Sequence, residues 1–459
     1  MPQNNNAAAL PKGSPLWRLS KKFQFAADKL IPDSFVFCLI LTFVVFIAAL
    51  IGTGSSPLDL CTWWFNGLWT QNSFAFQMGI MVVTCATCAK APQVKRLMGS
   101  LAKTVKTPTA AMVLLMAFGY VSSFLNWAFC TVVTPILAMQ LAKNIKGLHF
   151  PMMVAAGYSC MILGQCFGPT ASLYALLATE GHFMQEQLGV LTQDQTVYSS
   201  MNVVLWPILA VAMMIIAIWT RPPAHETVEF NSIIDDEEVN YDVEEKITIA
   251  DKMNGSVICM YLIGLAGVIV IVREFITKGF MGALSMNLII FLFIVLNCFL
   301  YKTPRAFVEA YKDNMKLACE VIVQFPFYGG IMGLMESSGL AQIIVAGIVS
   351  IASAQSLPVW SFLSASLVNL FIPSQGGQWI VQGPLLIDAC QQLNANPIHV
   401  INAFVYGDEA TNLLQPLYVI PALSVVGMKL KDVWGFMAFL WAFWTVIVSI
   451  GLYVIPMFV

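Results

Sequence analysis

Charge is what this sequence has least of. Only 10% of its 459 residues are Asp, Glu, Lys or Arg, while 58% are hydrophobic; ordinary soluble domains carry about 25% charged residues. Mean hydropathy is +0.76, which leaves too little polar surface to cover a water-soluble globule. Length alone would suggest about two or three soluble domains, but the apolar surface must face lipid, and a polytopic membrane protein is expected instead.

Other absences narrow the function. Net charge is −2, with no basic patch or aromatic-interleaved basic stripe, which argues against nucleic acid as a partner. The sequence contains no G-x-S-x-G elbow, P-loop or H-E-x-x-H, so neither an enzyme nor an ATP-driven pump is expected. The four His (149, 182, 225 and 399) show no metal-ligand spacing. Among the 11 Cys, Cys85 and Cys88 form a C-x-x-C inside an apolar run. It lacks the second pair or reactive setting that a zinc or redox site requires. No cofactor, disulfide framework or metal is expected, beyond a transported Na+. No cleavable signal peptide is expected either, since residues 1–14 are polar and 15–30 read as an interfacial amphipathic helix carrying Trp17, Phe23 and Phe25 with Arg18, Lys21 and Lys22.

What is present is a series of apolar runs. A span of about 18–22 residues fits a hydrocarbon core of about 30 Å, and runs of that kind fall near 33–52, 73–90, 150–178, 199–219, 254–272, 282–300, 317–335, 398–426 and 433–455. Two more segments, 108–143 and 358–393, are apolar but broken near their middles by polar or Gly-rich residues. Lipid-exposed irregular backbone is not tolerated at membrane depth, so such breaks must be buried in protein or line a cavity. Both segments read as re-entrant helical hairpins. Runs 150–178 and 398–426 are too long for one unbroken span and read as discontinuous helices. Basic residues of the short loops place the N-terminus in the cytoplasm and, with about nine crossings, the C-terminus in the periplasm. The expected organisation is an amphipathic cytoplasmic segment (1–31), a first membrane repeat (32–220), an acidic cytoplasmic linker (221–252) and a second membrane repeat (253–459). The linker, with its run of acids at 235–245, is expected to be solvated and without a binding role.

The two halves align at an offset of about 247–250 residues. Ser56-Pro57 matches Thr303-Pro304, Gln77-Met78 matches Gln324-Phe325, Pro108 matches Pro358, Tyr158 matches Tyr406, and Gly168-Pro169 matches Gln415-Pro416. The charge pattern puts Ser56-Pro57 outside and Thr303-Pro304 inside, so the repeats are inverted. Interrupted segments in corresponding positions of inverted halves point to a transporter binding site.

The candidate site follows from those interruptions. Ser122, Ser123 and Asn126 mark the first hairpin tip; Ser374, Gln375, Gly376, Gly377 and Gln378 mark the second, after Pro373. The helix arm following each tip turns its positive N-terminal end and free N–H groups inward, which suits an anion. The plainer reading of small and polar residues is tight helix packing. In the broken helices, Thr170 and Asn412 are further substrate candidates. Asp408 and Glu409 are neighbouring carboxylates inside a span, costing about 2.5–3.5 kcal/mol for a central Asp on insertion scales. They are the candidates for coordinating a coupling cation or carrying a proton, with Asp408 favoured. No Lys or Arg falls at the centre of a span, which suits a single small carboxylate better than a di- or tricarboxylate.

The segments QFPFYGGI at 324–331, PSQGGQWIVQGP at 373–384 and YGDEATNLLQP at 406–416 resemble the short-chain fatty acid transporter family. Pro32-Asp33, Lys106-Thr107-Pro108 and Asn126-Trp127 agree more loosely. The resemblance implies uptake of monocarboxylates such as acetoacetate or butyrate across a bacterial inner membrane. It also implies the hairpin-containing fold of the wider ion-transporter superfamily, used as a homodimer with an elevator-like motion. The family pattern has a third Gly and a His where this chain has Gln375 and Gln378, and usually an amide in place of Glu409. The reading is therefore a cation-coupled symporter driven by Na+ or H+. A carrier for a dicarboxylate or amino acid is the same-class alternative, and a passive channel or membrane receptor the more distant one.

Overall fold

In a computed structural model the described residues are 13–230 and 248–459, apart from 31, 33, 71, 126, 169, 170, 179, 183, 284, 285 and 374. They are almost wholly helical. The N-terminal helix α1 (Pro15–Leu30) precedes α2 (Ser34–Thr53), α3 (Pro57–Gly67), α4 (Asn72–Lys90) and α5 (Pro92–Ala102). The first hairpin is α6 (Pro108–Leu125) and α7 (Trp127–Asn144); the first broken helix is α8 (Phe150–Phe167) and α9 (Ser172–Leu177), and after α10 (Gln185–Leu188) α11 (Ser200–Trp219) closes the half. Helix α12 (Ile249–Asn254) begins within the last residues of the expected linker, followed by α13 (Val257–Ala283), α14 (Met286–Tyr301), α15 (Pro304–Asn314), α16 (Cys319–Ser337) and α17 (Leu340–Val349). The second hairpin is α18 (Leu357–Asn369) and α19 (Gln375–Leu393), the second broken helix α20 (Pro397–Thr411) and α21 (Ile420–Val426), and α22 (Leu430–Val454) closes the chain.

The sparse matches between the halves have a structural reason. Ser56 and Thr303 are N-caps: each hydroxyl accepts a helix N–H, from Asp59 and Ala306, and each is followed by Pro at the first turn. That Pro gives up no intrahelical hydrogen bond there and pre-sets the helical φ. Packing repeats as well. Helices α2 and α3 lie on α16 of the other half, while α14 and α15 lie on α4; α7 touches α21, and α19 touches α9. Within each half the first hairpin arm packs on the broken helix, α6 on α8 and α18 on α20. Exchanging the halves therefore reproduces these contacts.

Burial separates interior from periphery. By length and composition, five helices among the described residues can cross a membrane, or six counting the bent α15–α16 pair. The span containing α8 is 94% buried, whereas those containing α2 and α13 are 17% and 22% buried. The broken helices form the centre, and uniformly apolar helices face outward as lipid-exposed surface. The segments at 73–90 and 282–300 contain shorter apolar helices, Ala75–Cys88 and Asn287–Tyr301.

The linker departs from expectation at its start. Residues 221–230 are not a free solvated segment but a strap over α1 and the beginning of α8. Glu226 accepts from Trp17 Nε1 at 2.5 Å and pairs with Lys21 at 2.8 Å, and Ser14 Oγ donates to the Trp219 carbonyl at 2.6 Å. Phe150 N–H donates to the Val228 carbonyl at 2.9 Å and Val228 N–H to His149 Nδ1 at 3.0 Å. His149 supplies no side-chain cap to α8, so the strap satisfies an N–H that would otherwise be unpaired. The acid-rich stretch at 235–245 lies outside the described residues.

Candidate functional site

The second hairpin meets α20 along a parallel, closely packed seam. A Cβ on Gly407 would collide with the Phe362 carbonyl and lie 2.8 Å from Ala365 Cβ, so only Gly lets the two backbones approach this far. Thr411 Oγ1 donates to the Ser366 carbonyl at 2.8 Å and receives Asn369 Nδ2 at 3.0 Å. The seam thus carries the hairpin's polar end to the C-terminal end of α20, where the helix stops and the chain turns through 412–419.

A network of carboxamides forms there around one carboxylate. Glu409 Oε2 accepts from Asn412 Nδ2 at 3.0 Å, and Glu409 Oε1 accepts from Gln375 Nε2 at 3.3 Å. Asn412 Oδ1 accepts from Asn369 Nδ2 at 2.8 Å and Gln415 Nε2 at 3.0 Å, and its backbone carbonyl receives Tyr158 Oη at 2.9 Å. Gln375 Oε1 accepts from Leu173 N–H at 2.7 Å. One side chain at the second tip therefore joins α20 of its own half to α9 of the other. Gln375 and Asn412 each use both ends of the amide, so their partners fix which end is oxygen and which nitrogen.

Asp408 is turned elsewhere. It is 1% exposed, and its Oδ1 has no hydrogen-bond partner. Glu409 is 3% exposed. Neither acid forms an ion pair among the described residues, so the pair is embedded among amides, hydroxyls and aromatic rings. Burying an ionised carboxylate costs several kcal/mol unless it is compensated.

The remaining expected residues fall into three groups. Gly376 borders open space, with no atom within 4 Å of a built Cβ, and Gly377 beside it is partly buried in the first turn of α19. Gln378 is fully buried and points into its own hairpin, donating to the Ala365 carbonyl at 2.9 Å and to Gln382 at 2.5 Å. Ser122 and Ser123 are buried at the first tip, but their hydroxyls donate back to the carbonyls of Gly119 and Tyr120, both at 3.0 Å. Ser123 also fills the space that a Cβ on Gly164 would need. Both hydroxyls are thus engaged with the backbone of their own helix. Asn126, Thr170 and Ser374 lie outside the described residues.

Sequence reading missed Asn369, Tyr158 and Tyr418. Tyr418 Oη donates to the Pro373 carbonyl at 2.7 Å, while its ring meets Trp127 edge-on at 5.6 Å. One side chain thus touches both hairpin tips. Asn369 had a detectable signal, a lone amide in an apolar arm, where polar groups are expensive and often functional. Tyr418 had none, because an aromatic in an apolar run looks like ordinary core.

The apolar helices, the two hairpins and the two broken helices define a multi-pass integral membrane protein. The chain belongs to the short chain fatty acid transporter family, whose model matches residues 15–455. This is a family of transporters, not of enzymes. Relatives from Haemophilus influenzae and Escherichia coli K12 both carry a provisional short-chain fatty acid transporter name. The first is 32% identical over 446 residues and the second 30% over 437, each covering 95% of this chain and 99% of the relative. Among solved structures, the Alcanivorax borkumensis YdaH transporter is similar with a TM-score of 0.44 and 15% identity, over 91% of this chain and 98% of that one.

Proposed function

We propose that this protein takes up short-chain monocarboxylates, of the size of acetoacetate or butyrate, by symport with Na+ or H+. The observation that carries the proposal is the Asp408–Glu409 pair: two buried adjacent carboxylates, of which Glu409 is held by the Gln375 and Asn412 amides and neither meets a cation among the described residues. Two neighbouring negative charges in such surroundings call for a proton or cation, and moving that charge across the membrane is what couples uptake to a gradient. The substrate carboxylate sits at the second tip, beside Gly376 and Gly377, at the positive N-terminal end of α19. The relatives' names support the substrate class. The repeats are inverted, with the N-terminus cytoplasmic and the C-terminus periplasmic in a bacterial inner membrane. The protein works as a homodimer whose hairpin-bearing elements move against a fixed scaffold.

Uptake of labelled butyrate into proteoliposomes under separately imposed Na+ and H+ gradients tests this reading. One gradient should drive accumulation above equilibrium, and Asp408→Asn should abolish it. Uptake that ignores both gradients, or full accumulation by the variant, would sink the coupling mechanism. Competition by succinate or amino acids, but not by acetoacetate, would overturn the substrate class.

A further inference from the structure

The Gln375 side chain does something that the binding of a carboxylate does not require. It begins α19, is 7% exposed, and uses both ends of its amide on opposite sides of the site. Its Nε2 donates to Glu409 Oε1 at 3.3 Å, and its Oε1 accepts from Leu173 N–H at 2.7 Å. Leu173 lies in the first turn of α9, where a backbone N–H has no intrahelical acceptor and must find one elsewhere. The two partners belong to different halves of the chain and to the two broken helices.

The arrangement has only one workable orientation. If the amide turned over, its NH2 would face the Leu173 N–H and its oxygen would face a carboxylate oxygen, placing donor against donor and acceptor against acceptor. Gln375 therefore fits only while Glu409 Oε1 is free to accept. A proton on that oxygen, or a cation bound to it, takes up its charge and one of its lone pairs, which weakens the bond from Gln375 and with it one of the two anchors of the hairpin tip. The titratable groups around Glu409 are Asp408 on its own helix, Tyr158 and Cys166 on α8, Tyr174 on α9 and Tyr418 beyond α20. None of them is a cation at neutral pH, so none substitutes for the arriving charge.

Resting on the symport reading, we propose that Gln375 is a positioning residue, a latch that holds the second hairpin tip to α9 and α20 when Glu409 is unoccupied and releases it when Glu409 takes up the coupling ion. Its role is to make hairpin movement depend on the ion. The substrate does not need to touch it.

The test joins a transport measurement with a direct reading of the tip. In the full-length protein Gly376→Cys gives a reporter beside Gln375, and its rate of reaction with a membrane-impermeant thiol reagent is followed by mass spectrometry at that peptide. With Gln375 present, the driving cation should raise the rate about tenfold, the ratio that corresponds to loss of one hydrogen bond of ordinary strength. With Gln375→Leu added, labelling should be fast with or without the cation. On the otherwise unaltered chain, Gln375→Leu should lower the butyrate accumulation ratio about tenfold while substrate exchange without a gradient changes far less. Gln375→Asn, one methylene shorter, cannot span both partners and should behave alike if Gln375→Leu fails to yield monodisperse protein. Cation-dependent labelling and full accumulation in either folded variant would overturn the latch and leave symport standing. An unaltered protein that accumulates nothing under either gradient would instead overturn the symport reading, and the latch with it.

Discussion

The two hairpin tips are built from similar kinds of residue and do different work. At the first, Ser122 and Ser123 return their hydroxyls to their own helix, and Ser123 packs against α8, where Gly164 makes room for it. At the second, Gln375 reaches out of its helix to both broken helices, and Gly376 faces open space. A small polar residue at a helix break thus says little until its hydrogen bonds are known. A Ser can satisfy itself within its own turn, whereas a Gln at a helix start has a long side chain with two kinds of polar group and must look further. The starts of the broken helices differ in parallel. Asn396 caps α20 with its own side chain, accepting from Ile398 N–H, while α8 relies on the strap at Val228.

The largest expected effect tests the unequal tightness of the two hairpin seams. Gly407→Ala should cost about 2–3 kcal/mol, since the added methyl meets the Phe362 backbone carbonyl, which cannot turn aside. Gly157→Ala, on α8 of the first half, should cost about 1 kcal/mol, because the Thr134 side chain it meets at 3.2 Å need give by only a few tenths of an ångström. Thermal denaturation in detergent compares the two, and equal costs would break the distinction.

The next effect concerns the borrowed cap. Burial between Trp17 and Phe436 pushes the His149 imidazole down from 6.5 to about 4, with Glu226 opposing the shift. Above pH 6.5 the ring is neutral whether α1 and the strap are docked or have come away together, and docking carries no penalty. As pH falls from 6.5 to about 4, only the released ring takes a proton, so docking weakens progressively, by on the order of 2–3 kcal/mol in all. Hydrogen exchange in α1 and the first turn of α8 should accelerate over that window, and His149→Gln should remove the pH dependence. Protection that stays constant between pH 7 and 4 would contradict it.

A smaller effect addresses the tips themselves. Ser122→Ala and Ser123→Ala should each change half-saturation for butyrate less than about threefold, since their hydroxyls serve the helix backbone. A loss comparable with that of Gln375→Leu would move the first tip into the substrate site. Smallest is the exposed pair on the strap. Glu226→Gln should destabilise by about 1 kcal/mol or less, and the difference should shrink in 1 M salt. An effect unchanged by salt would assign the contribution to the Trp17 hydrogen bond instead of the Lys21 ion pair.

Much of the architecture was legible because its causes are local. Apolar runs mark the helices, Pro373 with Gly376 and Gly377 marks the second break, and the Ser56-Pro57 and Thr303-Pro304 pairs mark corresponding helix starts. The site was legible only in part. Both acids stood out as charges in an apolar run, but Asp408 was favoured, whereas the network with the hairpin tip forms around Glu409. Their order along the helix gives no sign of which one faces the tip, because that depends on the rotation of α20 against α18. Gln375 and Glu409 are hydrogen-bonded to each other across 34 positions of chain, a pairing that no local pattern announces.

By itself, then, the sequence determined a membrane protein of two related halves, each with a hairpin and a broken helix, because hydropathy, Pro, Gly and charge act over a few neighbouring residues. Only the tertiary structure decided that Gln375 meets Leu173 across 202 positions of chain, that the hydroxyls of Ser122 and Ser123 turn back on their own helix, and that the start of the linker caps a helix. Those outcomes depend on which hydrogen-bonding groups are left unsatisfied once the helices have packed, and that inventory does not exist until they have.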